Sequence, residues 1–417
     1  MGGSLRVCMV TTFYPPFNFG GDGIFVRRLA NLLAERGHHV EVAHCVEAFD
    51  MLRPPGFQHG DAYDDHPTIM HHPLRGPAGS LSPLLTHQTG SPAFKRRRLR
   101  RLLIDGRFDI VHFHNISLVG ITALAYGNAL KLYTTHEHWL VCPTHVLWRF
   151  NREPCNEQRC FQCVLRARRP PQLWRATGLM QRMLRHVDAF ITPSQFTRDK
   201  HLELGLRVSA PIVHIPNFLP IPAPPEADES SPHGRPYFLF VGRLERNKGA
   251  HVVVEQFRSY PAADLLVAGH GHDAPMLRDL AAGAANIRFL GAVPYTELER
   301  LIRHAIAVVV PSVGYEVFPT VVLEAFAQGT PVIGHRLGPL PEMLDGTGGL
   351  TYGNAAELCS ALDALRSSAD CRRALGQTAL ATYHALWTPE RHLDAYFALI
   401  ADRLRARQEA GAGAPRT

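Results

Sequence analysis

The chain has 417 residues and a mass of 46.3 kDa, which exceeds one ordinary domain and predicts two or three. It is 46% apolar and 19% charged, a composition that excludes a disordered or fibrous protein. Its net charge of +7 is uneven, because residues 1–215 hold 26 basic and 16 acidic residues (+10) while residues 216–417 hold the remaining 18 and 21 (−3). The asymmetry predicts two domains with different roles, the basic one facing nucleic acid, anionic lipid or a phosphorylated small molecule.

Membrane-spanning and secreted proteins are both disfavoured by the sequence. The least charged stretch, 110–130, contains two histidines, which makes it a poor transmembrane helix. The first residues, MGGSLRVCMV, lack the apolar segment and cleavage site of a secretory signal. We therefore expect a cytoplasmic protein whose eight cysteines are mostly reduced.

The first half has the pattern of a parallel α/β sheet. A strand (LRVCMVTTF), a glycine-containing loop, a helix that ends near Gly37 and a second strand (HHVEVAHC) come in order. Four further apolar strands follow, in FDIVHFHN, KLYTTHEHW, FITPS and PIVHIPN. Between the second strand and these four, residues 47–98 are rich in Pro, Gly and His, which predicts an irregular insertion.

The second half repeats this alternation after a proline-rich linker at 215–236. Its strands are short and apolar, as in YFLFV, DLLVAG, IAVVVPS and PVIGH, which indicates a sheet covered on both faces. We predict domains at 1–215 and 216–386, and a final helix at 387–410 that packs back on the first domain. Both domains are expected to be doubly wound α/β units of Rossmann type, with the site at the carboxyl ends of their strands, in a cleft between them.

Two segments of the second half carry candidate chemistry. GRLERNKG follows a strand and places Gly242, Arg243 and Lys248 at the mouth of the sheet, where the two cations suit a diphosphate. EVFPTVVLEAFAQGTPVI carries Glu316 in a loop and Glu324 in the second turn of the next helix. A carboxylate among apolar residues needs hydrogen-bond donors, and sugar hydroxyls are suitable ones.

These strings, with GG-x4-VRRLANLLAERGHHVEV near the start, resemble the family 4 retaining glycosyltransferases. Members of that family have the GT-B fold, two Rossmann-like domains facing a central cleft, and use nucleotide-activated sugars. The resemblance runs from Val7 to Ile400 and is thinnest over 47–100. Its most specific part is the E-x7-E string with its flanks.

The resemblance implies a role for each matching residue. Glu316 would hold the hydroxyls of the donor sugar, and Glu324 would bind the ribose diol. Arg243 and Lys248 would stabilise the departing nucleoside diphosphate in place of a metal, so that catalysis needs no cofactor. His136, after a first-domain strand, would face the sugar and the acceptor. The remaining donor-binding positions are Gly242, Gly20, Gly21, Val317, Phe318, Pro319 and Thr320, of which Gly20 and Gly21 would let the first loop approach the donor phosphates or the acceptor.

Four of the eight cysteines lie in a 22-residue window within the loop 140–165, in the pattern C-x12-C-x4-C-x2-C. Four thiolates at this spacing would bind a structural zinc ion, and an iron–sulfur cluster is the alternative. A catalytic metal is not expected here, because four thiolates leave no open coordination position. The predicted ligands are Cys142, Cys155, Cys160 and Cys163.

The segment 95–107, KRRRLRRLLIDGR, combines six basic residues with four apolar ones before its first acidic residue, Asp105. This pattern predicts a basic amphipathic helix able to lie on an anionic membrane surface. Such a helix would place the enzyme on the inner face of the membrane and would suit a lipid-linked acceptor.

The leading hypothesis is therefore a retaining hexosyltransferase that moves a sugar from a UDP- or GDP-sugar to a glycan or lipid-linked acceptor in bacterial surface polysaccharide assembly. A nucleotide-sugar epimerase is the alternative on the same fold, but it would need acid/base pairs in place of E-x7-E. A nucleic-acid-binding protein is the third reading. It is disfavoured because the basic runs lack interleaved aromatic residues, so no nucleic-acid partner is expected.

Overall fold

A computed structural model describes residues 3–53, 64–224 and 229–412, without the side chains of 410–412. Parts of the predicted insertion (54–63) and of the predicted linker (225–228) lie outside the described residues. The described chain folds into two compact units. The first contains residues up to His145, Cys160–Ile215 and the chain from Leu393 onward, and the second contains Val146–Arg159 and Pro216–His392.

The strands are short and mostly buried. In chain order they are β1 Arg6–Thr11, β2 His39–Cys45, β3 Met70–Leu74, β4 Ile110–Phe113, β5 Leu130–Thr134, β6 Trp148–Arg149, β7 Glu153–Pro154, β8 Ala189–Thr192, β9 Ile212–His214, β10 Tyr237–Val241, β11 Asp264–Ala268, β12 Ile287–Gly291, β13 Val308–Val310, β14 Val332–His335 and β15 Gly349–Tyr352.

The helices alternate with the strands, and short 3-10 turns occur at Ala93–Lys95, Ile121–Ala125, Leu173–Thr177 and Arg246–Lys248. The α-helices are α1 Gly21–Glu35, α2 Val46–Leu52, α3 Leu81–Thr89, α4 Arg96–Asp105, α5 Cys160–Arg166, α6 Leu179–Leu184, α7 Gln195–Glu203, α8 Ala250–Arg258, α9 Ala274–Leu280, α10 Tyr295–His304, α11 Thr320–Ala327, α12 Leu340–Leu344, α13 Ala355–Ser367, α14 Ala369–Leu386 and α15 Pro389–Ala412.

The first unit is built on a parallel sheet of seven strands in the described chain, in the order β3-β2-β1-β4-β5-β8-β9. Val7 of β1 pairs with Val40 on one side and Ile110 on the other, so β1 is a central strand. Such a strand must be apolar on both faces, and Cys8, Met9 and Val10 are fully buried.

The segment 47–98 is not the irregular insertion that its composition predicted. In its described part it forms most of α2, then β3, α3 and the start of α4, and β3 extends the sheet by pairing in parallel with β2. The proline content misled the prediction, because Pro73 lies in β3 at the edge of the sheet, where a missing N–H is tolerated.

The second unit has a parallel sheet of six strands within the described residues, in the order β12-β11-β10-β13-β14-β15. Alternate residues of β10 enter different cores: Phe238 and Phe240 pack with α8, α9 and α13, while Tyr237 and Leu239 pack with α10, α11, α12 and α14. The sheet is therefore covered by helices on both faces. The chain has the doubly wound α/β architecture, once in each unit.

The last helix, α15, joins the first unit from Leu393 onward. Its Tyr396 hydroxyl is 3.1 Å from Nδ1 of the buried His112, and its Arg407 guanidinium binds Asp188 at 2.7 Å. His112 also bonds the Thr134 hydroxyl through Nε2, so it is a satisfied core residue.

The domain limits at 215/216 and 386/387 stay a prediction, and the structure divides one segment differently. Residues Val146–Arg159, which the sequence grouped with the first domain, fold with the second unit. This segment contains the antiparallel pair β6–β7, and its Asn156 accepts a hydrogen bond from Tyr315 in the loop after β13. Among the described helices, none is both long and apolar enough to cross a bilayer.

Candidate active site

The candidate site of the second unit lies where the order of its strands reverses. Strands β10 and β13 are neighbours at this point, and their carboxyl ends lead into the loops 242–249 and 311–319. Ligands of open α/β sheets bind at such a switch point. The two loops carry Arg243, Lys248 and Glu316.

Lys248 and Glu316 form a close ion pair. The ammonium nitrogen lies 2.8 Å from both carboxylate oxygens, and the Ser312 hydroxyl donates a 2.6 Å hydrogen bond to Oε1. The main-chain oxygen of Ser312 in turn lies 2.9 Å from Nδ1 of His335. Both charged side chains are mostly buried, with 23% of Lys248 and 14% of Glu316 exposed.

The surroundings keep Glu316 ionised. Burial of the carboxyl group opposes ionisation, but the ammonium of Lys248, the hydroxyl of Ser312 and the nearby Arg243 outweigh it, so the pKa of Glu316 lies below its ordinary value. Arg243 itself is half exposed and holds Glu245 at 2.7 Å. The site therefore contains one paired lysine, one accessible arginine and one fixed carboxylate.

Gly249 explains the shape of the turn that presents Lys248. Its φ is +73°, in the left-handed region, and a β-carbon at this position would lie 1.9 Å from the carbonyl oxygen of Pro311. A side chain cannot fit there, so glycine lets the loop after β10 approach the loop after β13.

The other predicted donor-binding residues of this unit lie close by in sequence, and their environments differ. Gly242 directly follows β10, and Glu324 is half-buried on α11. Pro319 is the N-cap of α11 and Thr320 its first residue, while Val317 is half-buried in the preceding loop. The Phe318 ring is in the core, 6.0 Å from the ring of Trp387.

The first unit gathers a second polar group at the carboxyl ends of β1, β4 and β5. His136 follows β5, and its Nε2 is 3.0 Å from Nδ1 of His114, which follows β4. Phe25 of α1 packs against His136 with the ring centroids 4.9 Å apart. Gly20 is the N-cap of α1 and Gly21 its first residue, so the glycine pair lies at the N-terminus of that helix.

Two carboxyl groups accompany these histidines. Asp22 accepts a 3.0 Å hydrogen bond from Nδ2 of Asn115, and burial followed by the nearby Glu137 carboxylate raises the pKa of Asp22. Glu137 Oε2 lies 2.5 Å from Nδ1 of His145, and its other oxygen is buried without a hydrogen-bond partner. Carboxylates with spare acceptor capacity suit a ligand that is rich in hydroxyl groups.

Several members of both groups were missed by sequence reasoning. Asp22 directly follows the glycine pair and Glu137 directly follows His136, so their position at strand or loop ends was an available signal. Ser312 and His145 gave none, because a lone serine and one histidine among 24 carry no pattern.

The predicted four-cysteine metal site stays a prediction. Within the described residues, which include all four cysteines, no group of three or more His, Cys, Asp or Glu side chains is placed to hold a metal ion. Burial, followed by the neighbouring Cys142, raises the pKa of the Cys160 thiol.

The basic segment 95–107 also differs from its prediction. It forms the helix α4, but Leu99 and Leu103 of its apolar stripe are buried in the core of the first unit. Lys95 is buried too, 3.8 Å from Glu47 and bonded to the Ser82 hydroxyl. Leu99 and Leu103 therefore stabilise the fold and are not available to a membrane, whereas Leu102 is half-buried and Ile104 is exposed.

Comparison with known proteins assigns both halves of the chain. Residues 19–221 match the family model described as Glycosyltransferase Family 4, and residues 226–379 match the model described as Glycosyl transferases group 1. Glycogen synthase from Mycobacterium tuberculosis is 29% identical over 381 residues, which cover 86% of each chain.

Solved structures share the fold along nearly the whole chain. Sucrose-phosphate synthase from Thermosynechococcus elongatus superposes with a TM-score of 0.70 at 20% identity, covering 98% of this chain and 100% of the other. Anabaena HepE in complex with UDP-glucose gives 0.65 at 16% identity, covering 96% and 100%. The fold is thus GT-B. With a matching family model on each half, the chain belongs to the family 4 glycosyltransferases and is a sugar-transferring enzyme.

Proposed function

We propose that the enzyme transfers a hexose from a UDP- or GDP-sugar to a glycan or lipid-linked acceptor, with retention of the anomeric configuration, in the assembly of a bacterial surface polysaccharide. The observation that carries the proposal is the fixed group of Lys248, Glu316 and Ser312 beside Arg243 at the switch point of the second sheet. HepE, which shares the fold, was solved with UDP-glucose, and this supports a nucleotide-sugar donor.

In this proposal the cations act on the leaving group. Lys248 is neutralised by Glu316 in the free enzyme, and an arriving diphosphate competes for its ammonium. Arg243, half exposed, adds a planar donor for phosphate oxygens. Positive charge fixed in advance stabilises the diphosphate as its bond to the sugar breaks, which is the usual source of the largest rate effect.

Glu316 and Glu324 act on hydroxyl groups. When the diphosphate draws Lys248 away, the carboxylate of Glu316 gains acceptor capacity for the hydroxyls of the donor sugar. Its lowered pKa keeps it ionised for this purpose at neutral pH. Glu324, half-buried on α11, takes the ribose diol, and the first turn of α11, from Pro319 and Thr320, lies next to the phosphates.

The first unit supplies the acceptor side. His136 faces the acceptor, and the glycine pair Gly20–Gly21 at the start of α1 lets the main chain approach it. The carboxylates of Asp22 and Glu137 accept hydrogen bonds from acceptor hydroxyls.

A lipid-linked acceptor agrees with the surface of the first unit, although not through the apolar stripe of α4. The arginines of α4 at positions 96, 97, 100 and 101 are exposed, and exposed apolar side chains lie nearby in sequence at Leu81, Leu84 and Phe94. The turn that carries Phe94 continues into α4, and the following Lys95 bonds Ser82 of α3. We place an anionic membrane surface here.

The test is a panel of UDP- and GDP-sugars incubated with the protein, with release of the nucleoside diphosphate measured by mass spectrometry. One donor should be hydrolysed slowly, and Lys248→Ala or Glu316→Gln should lower this rate by about 10²–10³-fold. Arg246→Ala, which removes an exposed cation of the same turn, is the matched control and should retain the rate.

Each alternative has its own outcome. Isomerisation of the sugar without nucleotide release would identify an epimerase, and tight salt-sensitive DNA binding without donor binding would identify a nucleic-acid-binding protein. With an accepted donor and acceptor, the coupling constants of the new anomeric proton would test retention. Metal analysis of the purified protein decides the structural zinc or iron–sulfur prediction, which less than about half an equivalent of metal would contradict.

A further inference from the structure

The segment Val146–Arg159, called the arm below, leaves the first unit after His145 and returns to it at Cys160. Its strands β6 and β7 pair antiparallel, with Trp148 opposite Pro154. Phe150 and Asn151 at its tip both have left-handed φ angles, +54° and +57°, and the amide of Arg152 bonds the oxygen of Arg149. This is a type I′ hairpin turn, which matches the twist of short strands.

The arm is a defined structure rather than a loose loop. Arg149 binds Glu153 at 2.7 Å and Glu157 at 3.1 Å, and Glu157 also binds Arg159 at 3.1 Å. Each of these ion pairs contributes little energy, because the carboxylates are exposed, so the strand pairing and the turn define the hairpin. Trp148 is 7% exposed and therefore packs against protein.

The arm contacts the loop that carries Glu316. The Tyr315 hydroxyl donates a hydrogen bond to Oδ1 of Asn156. One residue earlier, a β-carbon at Gly314 would lie 3.3 Å from Cε3 of Trp148 and 2.8 Å from Cβ of Asn247. The indole of the arm and the turn that carries Lys248 therefore both lie beside Gly314.

The same loop is also held by main-chain hydrogen bonds. The amides of Val313 and Gly314 both donate 2.9 Å hydrogen bonds to the oxygen of Asn247, next to Lys248. Asn247 and the arm therefore both hold residues 313–315. In sequence these residues lie between Ser312, which bonds the Glu316 carboxylate, and Glu316 itself.

We infer that the arm is a positioning element for Glu316, acting through Asn156 and Trp148 on Gly314 and Tyr315. The inference rests on the proposed role of Glu316 at the donor sugar. A displacement of about 1 Å at a reacting group can lower a rate by about 10²-fold, so a contact that fixes the loop next to Glu316 affects turnover. The arm does not touch the nucleotide in this scheme, so it changes turnover more than nucleotide affinity.

The experiment uses the full chain with Asn156→Ala, Tyr315→Phe and the double variant, which remove the same hydrogen bond from either side. Arg152→Ala, an exposed residue of the arm, is the matched control. We expect each single variant to lower kcat for donor hydrolysis by about tenfold and the double variant to add no further loss. Affinity for the free nucleoside diphosphate should change by less than kcat does. Thermal unfolding should be unchanged, because Asn156 is exposed.

A readout without turnover separates this inference from the proposed function. Hydrogen exchange of residues 312–316 should speed up in Asn156→Ala and Tyr315→Phe but not in Arg152→Ala. If the wild type hydrolyses no donor, the proposed function fails, and the exchange result alone decides whether the arm holds the loop. Single variants that match Arg152→Ala in kcat and in exchange, or losses that multiply in the double variant, would overturn the inference.

Discussion

At the residue scale, the pair of Lys248 and Glu316 sets the charge of the candidate site before any ligand arrives. A mostly buried carboxylate and a mostly buried ammonium would each be costly alone, and together with Ser312 they satisfy one another. The pair stabilises the fold of the two loops. In the proposed function, an anionic ligand competes with Glu316 for the ammonium of Lys248.

The lowered pKa of Glu316 gives a dependence of stability on pH. Because its pKa is lower in the folded protein than the ordinary value of 4.5, ionised Glu316 stabilises the fold above about pH 4.5, and this contribution is lost as the pH falls through the folded value. Glu316→Gln removes it, so the difference in unfolding free energy between wild type and variant should shrink on acidification from pH 6 to pH 3. Urea unfolding at several pH values measures this, and a difference that is constant or grows would contradict it.

Gly249 gives a prediction of its own. Gly249→Ala puts a β-carbon against the Pro311 carbonyl in addition to the left-handed strain, and we expect a loss of about 3 kcal/mol or more in unfolding free energy. Gly283→Ala is the control, because its φ of +83° is similar but no atom lies within 4 Å of the added carbon. It should cost about 1 kcal/mol. Equal losses in denaturant unfolding would show that the close approach at Gly249 is unimportant.

Some residues of the candidate site can be predicted from a local sequence pattern, and others cannot. Glu316, Lys248 and Arg243 stand in strings with fixed spacing after apolar strands, and the structure brings Lys248 to Glu316 at 2.8 Å. Ser312 and the pair of Glu137 with His145 depend on how a loop folds back, which no local pattern specifies.

At the scale of helices and strands, the spacing of apolar residues predicted the secondary structure better than the amino-acid composition did. The strands β1, β4, β5, β10 and β13 were predicted from apolar runs, and all of them are buried in the sheets. β3 was missed because its short, His- and Pro-containing sequence is that of an edge strand with one weakly covered side. For α4, the apolar stripe was recognised, but a stripe fits a protein core and a membrane equally well.

The membrane proposal for this surface is testable by charge. We expect the protein to co-sediment with vesicles that contain about 30 mol% anionic lipid, and Arg96→Glu with Arg100→Glu to weaken this at least tenfold, since each basic residue near such a surface contributes about 1 kcal/mol. Both arginines are exposed on α4. The control is Arg258→Glu with Arg288→Glu, two exposed arginines of the second unit with the same change in net charge. Binding that both pairs weaken equally would reflect net charge and not a surface at α4.

At the scale of the whole molecule, the two units are not consecutive halves of the chain. The chain passes between them after His145, Arg159, Ile215 and His392, so each unit contains a segment that is distant in sequence. The sequence marked the crossing near 215 by its proline-rich composition. The passages from one unit to the other after His145 and Arg159 could not be recognised in this way, because a segment of 14 residues is too short to show a change in composition.

This organisation predicts that the first unit cannot be isolated by cutting after residue 215. Fragment 1–215 lacks α15, whose Leu393, Tyr396 and Ile400 are almost fully buried. Burial of three such side chains contributes about 5–8 kcal/mol, which is of the order of the whole stability of a domain. We therefore expect fragment 1–215 alone to lack a cooperative thermal transition and to regain one when it is co-expressed with 389–412. A 389–412 segment with Tyr396→Ser and Ile400→Ser should fail to restore it. A fragment 1–215 that unfolds cooperatively without the helix, at the same temperature as the co-expressed pair, would show that α15 is an appendage and not part of the first unit.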